Sequence, residues 1–69
     1  MPKLNRAAAK TDKRIERLYY QRCSGIQINI MDISKVFRAG HAAIAANPQI
    51  DDPMLGQAIY DFVQTIRKN

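Results

Sequence analysis

The sequence predicts a mainly α fold: a small three-helix domain, with a short extended or β segment at about residues 26–30 between the first and second helices, paired as a dimer. Three observations predict it. Apolar residues recur at helical spacing in three stretches, and Ser24-Gly25, Asn47-Pro48 and Asp51-Asp52-Pro53 punctuate the chain between them. The third is size. A chain of 69 residues removes only about 60% of its unfolded surface from water, and such a core rarely supplies more than roughly 3–5 kcal/mol. With one cysteine and one histidine, neither a disulfide nor a zinc site can reinforce it, so a second copy of the chain is the expected support.

The first helix is expected from about Asn5 to Cys23. At about 100° per residue, Leu4, Ala8, Thr11, Ile15, Leu18 and Tyr19 share one side. Gly25 follows as the stop, because a residue without a Cβ enters the left-handed region freely. Residues 1 to 4, with Pro2 among them, are expected to be frayed.

"IQINIMDI" comes next, and Ile26, Ile28 and Ile30 alternate with Gln27 and Asn29, the period-2 pattern of a strand with one dry face. No second strand is predicted elsewhere, so the segment either pairs with its own copy in a dimer or is a loop packed by its isoleucines. From Asp32, taken as the cap of the free NH groups, the period becomes helical. Ile33, Val36, Phe37, Gly40, His41 and Ile44 lie on one arc. Gly40 in that stripe costs about 1 kcal/mol against alanine, which another helix packing close would explain. Asn47-Pro48 ends this helix.

The third helix starts with Asp52 as its expected N-cap and Pro53 at the first helical position, where a missing NH costs nothing. Leu55, Ile59, Phe62, Val63 and Ile66 line one face, with Gln57, Asp61, Gln64 and Lys68 on the other. Arg67 and Lys68 complement the helix dipole.

Strand, helix and helix over residues 26 to 67 resemble the order of ribbon-helix-helix repressors. That resemblance implies two copies pairing their strands and placing polar side chains in the major groove. Gln27 and Asn29 would then be the base contacts, since carboxamides read adenine bidentately. The chain departs from the pattern in three respects: a long segment from Asp32 to Asn47, no basic residue in the strand, and an extra basic helix in front. These departures favour the packed loop.

The whole 1–69 chain reads as one domain, and its charge divides it. Residues 1–25, the basic N-terminal helix, hold seven bases against two acids, whereas residues 26–69, a neutral helical folding unit, hold four of each. All of the net charge of +5 therefore belongs to the first third, the asymmetry expected of an arm that faces a polyanion. On the helical wheel Lys3, Arg6, Lys10, Lys13, Arg14 and Arg17 fall within about 100° of arc, almost opposite Ile15, with Asp12 and Glu16 outside it. A solvated helix face explains charge, but segregation of like charges at i, i+4 destabilises a helix by a few tenths of a kcal/mol per pair. Tyr20 projects beside this arc, where its ring can stack on a base or its hydroxyl can meet a phosphate. Tyr19 reads as core.

Other residues offer little chemistry. His41 at the margin of the second helix's apolar stripe reads as a hydrogen-bonded boundary residue. Cys23, beside Arg22 near a helix end, is expected to have a somewhat lowered pKa, with no base spaced to make it a nucleophile. Asp51-Asp52 is accounted for by capping, and three isolated glycines make no phosphate loop. Neither an enzyme nor a cofactor nor a metal site is expected. The residues after Met1 lack the apolar core of a secretory signal and no run approaches 18 apolar residues, so a cytoplasmic location is expected. The alanine-rich side of the first helix offers little to a membrane surface.

The expected function is that of a small basic nucleic-acid-binding protein, a regulator of bacterial or phage type. Lys3, Arg6, Lys10, Lys13, Arg14, Arg17 and Tyr20 would contact the phosphate backbone of DNA or RNA. The alternative is a protein-interaction module, an inhibitor or adaptor that docks the same basic helix on an acidic protein surface.

Overall fold

In the computed structural model, which describes the backbone of residues 6–68 and the side chains of 9–67, three helices follow one another. They are α1 (Arg6–Cys23), α2 (Ile30–Ala46) and α3 (Asp52–Lys68). α3 packs on both of the others, while the α1/α2 contact is the smallest. One cluster joins them: Ile15, Leu18 and Cys23 of α1, Val36 of α2, and Leu55, Ile59 and Val63 of α3 are all buried. These are largely the residues that helical spacing aims at one another, and no polar or charged side chain is buried among the described residues.

α1 ends as its glycine requires. The NH of Ile26 donates to the Cys23 carbonyl at 3.0 Å, and Gly25, third in that turn, has φ +85°, a value that favours glycine.

The expected β segment is not a strand: residues 26–29 are irregular and Ile30 already belongs to α2. Its alternation has a different cause. Ile26 and Ile28 pack against the core, but Ile30, third in the series, is 82% exposed. Two isoleucines clip a loop to the domain, and the third is on the surface. The loop ends at Asn29, whose backbone is extended (φ −63°, ψ 146°) and whose side-chain oxygen accepts from the NH of Met31 at 3.0 Å. Its carbonyl accepts from Asp32 and Ile33. Asn29, and not Asp32, is therefore the N-cap of α2. Asp32 sits inside the first turn, where its charge suits the dipole, and it pairs with Lys35 at 3.4 Å.

Gly40 lies against α1 as its position in the stripe predicts. A Cβ built there would stand 2.8 Å from Cδ1 of Ile15 and 2.9 Å from its Cγ1. Beside it His41 Nε2 meets Asp12 Oδ1 at 2.6 Å, a polar tie across the same α1/α2 contact.

Between α2 and α3, Asn47 organises a short turn. Its NH donates to Ala43, its carbonyl accepts from Ile50, and its side chain accepts from Gln49. The cap of α3 then falls one residue earlier than expected. Asp51 accepts from the NH of Met54 on its carboxylate and from that of Leu55 on its carbonyl, both at 2.9 Å. Asp52 is thereby released from capping and turns toward α1.

Candidate nucleic-acid interface

α1 is held along two of its flanks, and what lies between them is the candidate surface. On one flank Asp12 meets His41 of α2. On the other, Arg14 donates from Nε to Asp52 Oδ1 at 2.6 Å and from Nη2 to the Ile50 carbonyl at 2.8 Å. Arg17 Nη2 donates to the second carboxylate oxygen, Oδ2, at 2.8 Å. Asp52 thus bridges two arginines, one per oxygen. The hydrogen bond from Arg14, joined by the charges of both guanidinium groups and the bond from Arg17, holds its carboxyl below the usual carboxylate range against the opposing effect of desolvation. Further along, Arg22 lies over Gly56 and donates to the Pro53 carbonyl at 3.3 Å.

Charge alone does not locate the free cations of the basic arc. Arg14 is partly buried and spends two donors inside the protein, which makes it a tie between α1 and α3. Arg17, with 56% of its side chain exposed, belongs to both the tie and the open face. Lys10 and Lys13 are exposed, and no ion pair to either is found among the described residues. Lys3 lies outside the described residues, and of Arg6 only the helical backbone is described.

Tyr20 is 68% exposed at the C-terminal end of this face. Its ring lies 5.6 Å from that of Tyr19, inclined by 58°, within the range of tilted aromatic pairs. Tyr19 packs against the core, and burial, followed by the neighbouring Cys23 and Tyr20 charges, raises its phenol pKa.

Gln27 and Asn29 do not join the site. Without a strand nothing presents them as a pair, and the Asn29 carboxamide oxygen is engaged at the start of α2. The Cys23 thiol also differs from expectation: it is buried, and burial pushes its pKa up, because a thiolate loses its hydration there. Asp52 is the participant that capping logic concealed. Two adjacent carboxylates precede Pro53 and one suffices to cap a helix, so a second acid without a local task was the available signal.

Among the described residues no three His, Cys, Asp or Glu side chains gather as metal ligands, and no described helix is long and apolar enough to cross a membrane. No protein-family model, curated protein or solved structure matches the chain.

Proposed function

We propose that this protein binds nucleic acid in the cytoplasm, through phosphate contacts made by the open face of α1. The observation that carries the reading is the exposure of Lys10 and Lys13, neither neutralised by an acid among the described residues, in line with the half-free Arg17. Phosphates would release counterions on meeting them, and affinity should then fall steeply with salt. Contacts of this kind position a ligand without reading its sequence, so binding is expected to tolerate sequence variation.

The test is Lys10→Gln with Lys13→Gln, two exposed positions remote from the core. Anisotropy titrations across salt should show weaker binding and a log–log salt slope shallower by about 1.4–1.8, at roughly 0.7–0.9 per phosphate contact. An unchanged slope would remove the reading. Arg14 and Arg17 are poorer probes, since they also hold α3.

A second contact, with another copy of the chain, rests on a separate observation: Ile30 and Met31, adjacent at the start of α2, are 82% and 74% exposed. Pairing through them would supply the support a core of this size calls for. Sedimentation equilibrium of the wild type and of Ile30→Lys tests it, a monomeric wild type being the adverse result.

A further inference from the structure

We infer that the partner is single-stranded nucleic acid, with a base stacked on Tyr20 at the end of the cation row. The inference rests on the reading that α1 meets nucleic acid, and it adds the strandedness of the ligand and the residue that selects it.

Lys10, Lys13, Arg17 and Tyr20 stand at i, i+3, i+7 and i+10 of one helix. They form a strip about 80° wide and about 15 Å long. Three cations lead along the strip to an aromatic ring, the combination by which proteins track a single strand: charge for the backbone and a π-face for an unstacked base. The ring is available, at 68% exposure, and is braced by the tilted contact with Tyr19. Glu16, exposed and one turn before Tyr20, borders the strip on the α2 side and would turn phosphates toward Lys10 and Arg17.

Duplex DNA fits this surface poorly. α2 reaches α1 at Asp12 through His41 and α3 reaches it at Arg14 through Asp52, and the acids beside the strip, Asp12 and Glu16, are themselves exposed. They would face the second phosphate row of a major groove about 12 Å wide, whereas a single strand can follow the cation row alone. Paired and stacked bases, moreover, present edges to a protein and leave nothing for the Tyr20 ring to stack on.

The experiment titrates labelled oligothymidine and a mixed-sequence duplex of equal length with wild type, Tyr20→Phe, Tyr20→Leu and the Lys10→Gln/Lys13→Gln pair. Anisotropy is read at two salt concentrations, and circular dichroism melting confirms that each variant folds. The single strand should bind more tightly than the duplex. Tyr20→Phe should retain that affinity, while Tyr20→Leu should lose about ten-fold or more on the single strand, with duplex binding and salt slope unchanged. If Tyr20→Leu binds the single strand like wild type, or the duplex binds as tightly as the single strand, the inference is overturned. Should the lysine pair weaken binding to both forms while Tyr20→Leu weakens neither, phosphate binding stands and only the inference fails. Wild type that retains neither form, or a lysine pair that binds like wild type, overturns both.

Discussion

Replacing Gly40 by alanine sets two effects of similar size against each other. Inside a helix alanine is favoured over glycine by about 0.8–1.0 kcal/mol. Against this, the new Cβ would stand 2.8, 2.9 and 3.1 Å from Cδ1, Cγ1 and Cγ2 of Ile15, where carbon atoms prefer about 3.5–4.0 Å. Both branches of a β-branched, fully buried side chain are involved, so rotation about χ1 cannot clear the overlap. Overpacking of this kind costs about 1–3 kcal/mol, and the expected balance is a net loss of about 1 kcal/mol. In a chain of this size that lowers the melting temperature by roughly 4–8 °C. Urea unfolding followed by circular dichroism measures it. Ile15→Val removes Cδ1, the atom nearest the new methyl group, so the double variant should lose less than the sum of the two single losses. A Gly40→Ala protein stabilised by the whole helix-propensity gain, with additive behaviour in the double variant, would refute the close approach of α1 and α2.

Asp52→Asn removes the counter-charge of Arg14 and Arg17, so the salt slope for nucleic-acid binding should steepen by about 0.7–0.9 for each arginine that turns to a phosphate; an unchanged slope means that neither reaches one. The carboxyl of Asp52 titrates below its ordinary 3.8 in the folded protein. Its stabilising effect is therefore complete above that value and is lost as pH falls through the lower, folded-state pKa. Acid unfolding curves should show this loss in the wild type, and Asp52→Asn should lack it. Asn29→Ala should cost about 1 kcal/mol in urea unfolding as the cap of α2 is lost, and a larger loss from Asp32→Ala would return the cap to Asp32. The Cys23 thiol, buried and with a raised pKa, should react slowly with an aromatic disulfide reagent in the native protein and rapidly in urea.

Helix existence and the buried faces were legible because they depend on local periodicity. Ile15, Leu18, Leu55, Ile59 and Val63 are spaced so that almost any three-helix packing would bury them, and Gly25 and Gly40 each mark a place where a Cβ is unwelcome. Caps were harder. Asn29 and Asp32 are both good N-cap residues three positions apart, and only the end of the isoleucine clip, at Ile28, decides between them. Alternation over residues 26–30 imitated a strand because a loop that crosses a core edge turns Ile26 and Ile28 inward, while Ile30 already begins α2 and lies on the surface. The basic arc was visible on a wheel, but its division into structural and open cations was not. That division depends on Asp52, 38 residues from Arg14, and on how α3 crosses α1.

Asp51 and Asp52 are joined by a single peptide link, and one closes the start of α3 while the other fastens that start to α1. The rotation of α3 about its own axis is thus fixed at one point of the chain. One extra residue between them would swing the second carboxylate by about 100° and advance it about 1.5 Å, out of line with both guanidinium groups. Length changes should therefore be tolerated more readily between Ala46 and Ile50 than at this junction, which works as the hinge pin between the charged helix and the rest of the domain.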